Sequence, residues 1–475
     1  MKKLVSLLFH RAVLMGVFLI IQIAVLVLML LRFNEFFLPF YGICVALSIA
    51  AVFWIVNRSS EPAYKIAWIV PILIFPIFGG LFYLLFGGNK LSKRTRRKME
   101  GMDRKMLEVL HQDFKADSLI TFGEDAVHQA RYLEHMAHCP VYGGTETEYF
   151  PLGEDCFARM VEELRKAERY IFLEYFIIED GVMWDTILDI LTEKVKEGVD
   201  VRVMYDDIGS MFTLPREYAS ELEKRTGIRC CVFNPFIPIL SLRLNNRDHR
   251  KILVIDGKVA FTGGINLADE YINKKVRFGH WKDCGILVKG EAVWSMVMMF
   301  LSIWDYVAGL EEDVAAFRPD YPEDAKGEGY LQPFADSPLD HEDVGATIFQ
   351  SLIQSACRRL WIMTPYLILD NGLLDTMTRT AKSGVEVCII MPHIPDKWYA
   401  FVLAKTYYQE LLEAGVKIYE FTPGFVHSKI FVSDDKMATV GTVNLDYRSL
   451  YLHFECGAYI YNNPVVRDIE KDYRQ

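Results

Sequence analysis

The feature of this sequence that most constrains its fold is an internal duplication in its C-terminal part. Strand-like and helix-like segments of a first copy return in a second copy in the same order. Each copy has to form the same supersecondary structure, which predicts two related folding units in one chain. The matching segments are 168–181 with 358–372, 197–206 with 383–392, and 227–235 with 415–423.

Each copy alternates between two kinds of pattern. In the first copy, residues 169–178 are strand-like, residues 184–198 have a helical periodicity that ends at a glycine, and residues 199–207 are strand-like again. Such alternation predicts an α/β fold around a largely buried sheet. We therefore expect two α/β domains, 146–315 and 344–475, related by a pseudo-twofold axis.

Two further segments are predicted to connect the folded parts of the chain. Residues 90–145 are polar and helix-forming, which indicates a basic, helical linker between a membrane region and the first domain. Residues 316–343 are rich in proline, glycine and aspartate, which is typical of a linker between domains.

The N-terminal region, 1–89, has the composition of a membrane anchor. It contains three segments without a charged residue, 12–31, 36–56 and 66–86. Each is long enough to cross the hydrocarbon core of a bilayer as a helix. A cleaved signal peptide would explain only the first of them, so the sequence predicts a membrane-bound protein.

The basic residues around these segments make conflicting predictions about topology. Residues 90–98 contain six lysines and arginines, which predicts that the bulk of the chain lies on the cytoplasmic side. Basic residues near the N-terminus predict that the N-terminus is cytoplasmic as well. Three full crossings would put the N-terminus and residues 90–98 on opposite sides of the membrane, so the two predictions conflict. Either the N-terminus lies outside, or one segment only dips into the membrane. Segment 66–86 is the best candidate for dipping, because prolines and glycines interrupt it.

Charge and cysteine content narrow the class of protein further. The net charge of −10 argues against nucleic acid as a partner. The basic cluster at 90–98 suits anionic lipid headgroups, although an ordinary topology signal would look the same. The nine cysteines are scattered without a C-x-x-C pair, so we expect neither a disulfide framework nor a zinc site.

The duplication also repeats a short motif that carries chemistry. "HRKILVID" (249–256) and "HSKIFVSD" (427–434) match at histidine, lysine, isoleucine, valine and aspartate. In each copy, six residues separate the aspartate from a glycine, and an asparagine (Asn266 or Asn444) follows three positions later. One such motif is weak evidence for a site, but two in matching places of a duplicated domain are specific.

The spacing of the motif puts its polar residues on one face. Residues two apart in a strand point the same way, so His249 lies beside Lys251, and His427 lies beside Lys429. Two facing patches of this kind suit a phosphodiester, because one histidine can attack phosphorus while the other donates a proton to the leaving oxygen.

The remaining groups of the motif fit the same reaction. The two lysines, with Asn266 and Asn444, would neutralise and hydrogen-bond the non-bridging phosphate oxygens. The expected intermediate is a covalent phosphohistidine. No carboxylate cluster of the two-metal kind is evident, so we expect neither a metal nor another cofactor.

The carboxylates near the motif are expected to have different roles. Asp256 and Asp434 complete the candidate catalytic set as members of the motif. They lie about 20 Å from the histidines along an extended strand, so we interpret them as supporting the turn. Asp283 and Glu455 begin equivalent segments, "DCGILV" and "ECGAYI". We predict that each accepts a hydrogen bond from one histidine, and the pairing stays open.

The paired motifs resemble the signature of the phospholipase D superfamily, over roughly residues 145–465. Within it, the chain is similar to the bacterial cardiolipin synthases in its hydrophobic N-terminus and in "LEYFII" (173–178), "HWKD" (280–283) and "NLDYRS" (444–449). The resemblance implies a transphosphatidylation that converts two phosphatidylglycerol molecules into cardiolipin and glycerol. It also implies that His249 is the nucleophile and His427 the general acid and then base. Related chains run a little further than this one.

Three alternatives remain open at this point. A hydrolytic phospholipase D would use the same residues and release phosphatidic acid. A phosphodiesterase acting on nucleic acid shares the motif, but the acidic net charge and the membrane segments argue against it. A membrane scaffold with an inactive catalytic fold is the alternative that is not an enzyme. Residues 236–247 are an insertion found only in the first copy, and they either contact lipid or form an ordinary surface loop.

Overall fold

The computed structural model describes most of the chain after residue 114. The described ranges are 37–58, 62–76, 107–110, 115–236, 246–321, 327–340 and 342–475, with scattered positions within 20–28 and 79–101. The described residues divide into an N-terminal unit, within residues 1–91, and a larger unit that holds almost all of the rest.

The elements are numbered in chain order. The helices are α1 (Phe37–Val56), α2 (Pro62–Ile74), α3 (Glu124–Met136), α4 (Gly153–Leu164), α5 (Val182–Lys196), α6 (Tyr218–Thr226), α7 (Val293–Ala308), α8 (Val344–Ser355), α9 (Asn371–Lys382), α10 (Trp398–Glu413), α11 (Tyr447–Tyr451) and α12 (Val465–Arg474). The strands are β1 (Tyr142–Gly144), β2 (Glu146–Phe150), β3 (Tyr170–Tyr175), β4 (Asp200–Asp206), β5 (Arg229–Phe233), β6 (Arg247–Asp248), β7 (Ile252–Ile255), β8 (Val259–Gly263), β9 (His280–Lys282), β10 (Gly285–Lys289), β11 (Gly327–Asp336), β12 (Arg359–Met363), β13 (Glu386–Pro392), β14 (Lys417–Phe421), β15 (Gly424–Val426), β16 (Ile430–Ser433), β17 (Met437–Gly441) and β18 (His453–Tyr461).

The N-terminal unit contains α1 and α2. Helix α1 carries no charge, and Leu38–Val56 reaches a mean hydropathy of 2.1, so within the described residues it is the helix long and apolar enough to cross a membrane. The predicted segment 36–56 is therefore confirmed as a helix. Segment 66–86 is helical up to Ile74, and most of segment 12–31 lies outside the described residues.

The first sheet of the larger unit has the strand order β2-β10-β8-β7-β3-β4-β5. Strands β3, β4 and β5 are parallel neighbours, and β7 joins β3 in the antiparallel sense. All six residues of β3 are buried, as expected for a central strand covered on both faces.

The second sheet repeats this topology. Its order is β1-β11-β18-β17-β16-β12-β13-β14, so that β12, β13 and β14 take the places of β3, β4 and β5. Strands β12 to β14 are again parallel, and β16 joins β12 in the antiparallel sense. The predicted α/β fold with duplicated domains is confirmed.

The segments predicted to be linkers contain packed elements. Strand β11 lies within 316–343 and pairs with β1 and β18. Helix α3 lies within 90–145, and its Ala130 and Leu133 are fully buried. The side chain of Gln332 on β11 donates to the carbonyl oxygen of Ala130 at 3.1 Å. Composition reveals turn-forming residues, but it does not reveal the few regularly spaced apolar residues that let β11 and α3 pack. The predicted domain boundaries stay predictions.

The aspartates that end the two motifs hold turns, at the start of β3 and β12. Asp256 accepts hydrogen bonds from the backbone N–H groups of Glu168, Arg169 and Tyr170 at 2.7–2.9 Å. Asp434 accepts the equivalent bonds from residues 357–359 at 2.5–2.8 Å. Both aspartates have positive φ, near 53° and 52°, which aspartate tolerates better than most residues. These contacts agree with the interpretation of both residues as turn-supporting.

Replacing Asp256 by alanine is expected to destabilise the protein. The substitution leaves three backbone N–H groups, one of them in a buried bond and two in part-buried bonds, without their charged acceptor, which should cost about 3 kcal/mol of unfolding free energy. The measurement is the melting temperature of the purified protein in detergent. Asp256→Asn is the matched control, and it should lose less because it keeps an acceptor oxygen and tolerates the same backbone conformation. Equal melting temperatures for the wild type and Asp256→Ala would contradict this role.

Candidate active site

The two halves of the larger unit exchange short strand pairings around the motifs. Strand β6, just before His249, pairs in parallel with the first two residues of β18. Strand β15, just before His427, pairs in parallel with β9. The backbone N–H of His249 donates to the carbonyl of Phe454 at 2.9 Å, and that of His427 donates to the carbonyl of Lys282 at 2.7 Å. Each histidine is thus fixed against a strand of the opposite half.

This exchange decides which carboxylate meets which histidine. Nδ1 of His249 lies 2.9 and 3.0 Å from the two carboxylate oxygens of Glu455. Nδ1 of His427 lies 2.6 Å from Oδ2 of Asp283. Each histidine therefore takes its carboxylate from the other half. Because a carboxylate at Nδ1 favours the tautomer with hydrogen there, it leaves Nε2 free to react.

Glycines let these strands approach one another. Gly263 on β8 is paired with Gly285, and a Cβ at Gly263 would lie 2.4 Å from the carbonyl oxygen of Cys284. A Cβ at Gly441 on β17 would lie 2.6 Å from the carbonyl oxygen of Cys456. The glycine of each motif therefore allows the segment that contains Asp283 or Glu455 to approach this closely.

The two carboxylates are held differently. Oδ1 of Asp283 accepts a hydrogen bond from the backbone N–H of Cys284 at 2.8 Å. Oε2 of Glu455 accepts a hydrogen bond from the hydroxyl of Thr442 at 2.5 Å. At the position that corresponds to Thr442, the first half has Gly264, where a Cβ would lie 2.0 Å from Asp283. The shorter acid is thus held by backbone, and the longer one by side chains.

Burial keeps both imidazoles uncharged in the free protein. Burial, followed by the charge of Lys429, lowers the pKa of His427 to about 4, although Asp283 acts in the opposite direction. Burial, followed by Lys251, lowers the pKa of His249 well below its ordinary value. At neutral pH each ring therefore has an unprotonated nitrogen.

The two carboxylates differ in charge. Burial opposes ionisation of Asp283, but His427 and Lys429 outweigh it and lower the pKa of Asp283 below its ordinary value. Burial raises the pKa of Glu455 well above its ordinary value, although Lys251 acts against it. His427 therefore faces an ionised acid, and His249 faces an acid that burial holds towards its neutral form.

The lysines of the two motifs are buried beside the histidines. Lys251 donates to the backbone carbonyl of His249 at 2.6 Å, and Lys429 donates to that of His427. Burial lowers the pKa of each ammonium group to about 8, so both remain mostly charged at neutral pH. Two buried cations beside two imidazoles make this site suitable for an anion.

The side-chain amides of the two motif asparagines form hydrogen bonds within the protein. Asn266 donates to the hydroxyl of Tyr271 at 2.7 Å and accepts a hydrogen bond from the backbone N–H of Ile177 at 3.1 Å. Asn444 donates to the hydroxyl of Ser449 at 3.0 Å. Both asparagines therefore brace neighbouring segments of the site, and their role towards phosphate stays a prediction.

A third histidine, which the motif analysis missed, lies beside His249. The ring centroids of His453 and His249 are 5.7 Å apart, and Nδ1 of His453 lies 3.7 Å from Oε1 of Glu455. The signal in the sequence was its position two residues before Glu455, which puts both side chains on one face of β18.

The residue types of this cluster resemble a metal-binding set, but their surroundings do not. Ligand atoms of His249, His453 and Glu455 lie within 4.8 Å of one another. Arg448 and Lys251 bring positive charge to His453, which opposes a divalent cation. We therefore assign no metal ligand among the described residues.

Comparison with known proteins agrees with this geometry. The family described as "Cardiolipin synthase, PLD-like domain" matches residues 160–281 and 349–475, and a phospholipase D-nuclease N-terminal family matches residues 46–88. A protein named cardiolipin synthase from Halalkalibacterium halodurans is 36% identical over 90% of this chain and 84% of its own length. One from a Geobacillus species is 38% identical over 90% and 85%.

Two further relatives complete the comparison. An uncharacterised protein of Streptococcus mutans is 46% identical over 90% of this chain and 92% of its own length. The crystal structure of a phosphatidylserine synthase from Haemophilus influenzae has the same fold, with a TM-score of 0.55 over 72% of this chain and 89% of its own, at 17% identity. The family match and the named relatives together show that this chain belongs to the cardiolipin synthase family of the phospholipase D superfamily.

Proposed function

We propose that this protein is a membrane-bound phosphatidyltransferase that converts two phosphatidylglycerol molecules into cardiolipin and glycerol. The observation that carries the proposal is the pair of buried imidazoles, each held at Nδ1 by a carboxylate of the opposite half. Relatives that cover most of the chain are named for this activity, which supports the same choice of substrate.

In the first step, Nε2 of His249 attacks the phosphorus of one phosphatidylglycerol. A phosphorus–nitrogen bond forms, the bond from phosphorus to the headgroup glycerol oxygen breaks, and His427 gives that oxygen its proton. Free glycerol leaves, and the phosphatidyl group stays on His249. The in-line geometry of this step requires attacking and leaving groups on opposite sides of phosphorus, which calls for His427 on the side opposite His249.

In the second step, a glycerol hydroxyl of a second phosphatidylglycerol attacks the phosphohistidine. His427, now unprotonated, takes the proton from this hydroxyl, and the bond between phosphorus and His249 breaks. The product is cardiolipin, and both histidines return to their starting states. Water in place of the lipid hydroxyl would give phosphatidic acid, so the acceptor decides between transferase and hydrolase.

The charges of the site favour this assignment of roles. A phosphodiester between the two rings brings a negative charge that favours protonation of one of them. Ionised Asp283 stabilises a positive charge on His427, which suits the ring that starts as the acid. Burial, followed by the charge of Lys251, lowers the pKa of His249 well below its ordinary value, so this ring keeps the Nε2 lone pair that attack requires. Lys251 and Lys429 would stabilise the charge on the non-bridging oxygens.

The proposed place of the reaction is the cell membrane. Helix α1 and the family match at residues 46–88 support an N-terminal anchor. We propose that this region crosses the membrane more than once and that the catalytic halves lie on the cytoplasmic side, as the basic cluster 90–98 predicts. An anchor concentrates the enzyme with both lipid substrates, which favours a lipid acceptor over water.

The test is a product analysis with the purified full chain in detergent micelles. Phosphatidylglycerol labelled in both its acyl chains and its headgroup is incubated with enzyme, and the lipids are separated by chromatography. Labelled cardiolipin with free labelled glycerol supports the proposal. Phosphatidic acid as the sole labelled lipid product would assign a hydrolase, and an unchanged substrate would assign an inactive scaffold.

Removing metal ions should leave the rate unchanged. The proposed steps use imidazoles, carboxylates and lysines, and none of them passes through a metal. The initial rate of cardiolipin formation is measured in nonionic micelles with and without excess chelator, so that lipid aggregation by divalent ions does not interfere. A rate lost with chelator and restored by a divalent cation would overturn the metal-free mechanism.

A further inference from the structure

His453 is a buried polar side chain at the start of β18. The residue is 9% exposed, and neither Nδ1 nor Nε2 has a partner among the described residues. A neutral imidazole has one donor and one acceptor nitrogen, and leaving both unpaired in the interior is costly. The nearest candidate acceptor is Oε1 of Glu455, 3.7 Å from Nδ1. A shift of less than an ångström would make this a hydrogen bond.

The two halves of the site carry different residues at the position of His453. Asp283 corresponds to Glu455, so Trp281, two residues earlier, corresponds to His453. Trp281 packs on His427, with ring centroids 5.4 Å apart, as His453 packs beside His249. The N–H of an indole can only donate a hydrogen bond. An imidazole can also accept a hydrogen bond or take up a proton.

The two carboxylates also differ in the groups that donate hydrogen bonds to them. One oxygen of Asp283 binds His427, and the other accepts the backbone N–H of Cys284. Glu455 is held by side chains instead: Oε2 accepts the hydroxyl of Thr442, Ser449 is a second side-chain partner, and Oε1 contacts Nδ1 of His249. Oε1 is the oxygen that Nδ1 of His453 approaches, at 3.7 Å.

We propose that His453 is a positioning residue for the reactive ring of His249. Its Nδ1–H donates to Oε1 of Glu455, which fixes the carboxylate between His453 and Thr442. A hydrogen bond donated to a carboxylate favours the ionised form. His453 thereby helps Glu455 to stabilise the positive charge that His249 gains when it bonds to phosphorus. This inference rests on the proposed reaction at His249.

The surroundings of Glu455 set the expected pH effect. Glu455 faces His249 and Lys251 from the first half, and Thr442, Asp446, Ser449 and His453 from its own half. If the reactive form needs ionised Glu455, activity falls as the pH drops through the pKa of that group. Removing the donor on His453 raises that pKa, so the acid limb of the profile should move to higher pH.

The experiment compares His453→Leu, which has no donor, with His453→Asn, whose amide can donate from nearly the same place as Nδ1. Measurements are kcat, KM, the single-turnover rate of phosphatidyl-histidine formation, the pH profile and the melting temperature. His453→Leu should lower kcat and the single-turnover rate by about tenfold or more with KM nearly unchanged, as expected for loss of a partner that orients a reactive group. Its acid limb should move up, and His453→Asn should recover most of the rate.

The controls separate this inference from the proposed function. Trp281→Phe, at the corresponding position of the first half, should leave the acid limb in place, because Asp283 already has its backbone donor. If the wild type forms phosphatidyl-histidine on His249 and His453→Leu forms it equally fast with the same pH profile, the role of His453 is overturned alone. If the wild type forms no phosphatidyl-histidine, the proposed function itself fails.

Discussion

His249→Asn should abolish transfer and all covalent labelling of the protein. Asparagine has no nucleophilic nitrogen, so we expect cardiolipin formation to fall at least about a thousandfold. The wild type, quenched during turnover with acyl-labelled phosphatidylglycerol, should carry the label on His249 when its peptides are mapped by mass spectrometry. A melting temperature close to that of the wild type establishes that the variant is folded. Label on His427 in the wild type would reverse the two roles.

His427→Asn provides the matched control, because it removes the proton donor and leaves the nucleophile. With phosphatidylglycerol it should be as slow as His249→Asn. With a lipid that carries a nitrophenol leaving group, which needs no proton, it should release nitrophenol once per enzyme and then stop. The phosphohistidine then accumulates, because no base remains to activate the acceptor. An equal burst from His249→Asn would contradict the assignment.

Glu455→Gln should slow the reaction on the order of a thousandfold, comparable to loss of the acid in a histidine–carboxylate pair. Glutamine keeps the size of the side chain but cannot ionise. The ring of His249 becomes cationic when it bonds to phosphorus, and only a carboxylate at Nδ1 can balance that charge. The measurements are kcat and the single-turnover rate of phosphatidyl-histidine formation, and KM should change little.

Asp283→Asn tests the crossed pairing of acids and histidines. Asp283 contacts His427, so this variant should be impaired mainly in proton transfer to and from the glycerol oxygens. With the nitrophenol lipid, it should therefore form phosphatidyl-histidine at nearly the rate of the wild type, whereas Glu455→Gln should not. The opposite ranking would mean that each acid serves the histidine of its own half.

The sequence was sufficient for the fold class and for the parts of the site that the duplication marks. The repeated motif pointed to both histidine–lysine pairs, and the repeated "DCG" and "ECG" segments pointed to Asp283 and Glu455. Features marked by a repeated local pattern can be predicted from the sequence, because a few neighbouring residues determine each pattern. The role of Asp256 was readable too, because an aspartate before a glycine at the end of a strand is a turn signal.

Contacts between distant segments could not be predicted from the sequence. Glu455 reaches His249 across 206 positions, through the parallel pairing of β6 with β18. A two-residue strand such as β6 has no periodicity to detect, so the crossed pairing stayed open. His453 was missed because a single histidine in a strand is usually an ordinary core residue. The composition of residues 316–343 predicts a linker and hides strand β11, because prolines and glycines surround its apolar positions.

The crossed pairing also has a consequence for the order of events during protein synthesis. A ribosome adds Glu455 long after His249, so the nascent chain holds His249 before the carboxylate that contacts it has been made. The first half can fold as it emerges, since domains generally fold from the N-terminus. The surroundings of His249 are therefore incomplete until the last segments of the polypeptide have been made and have folded against the first half.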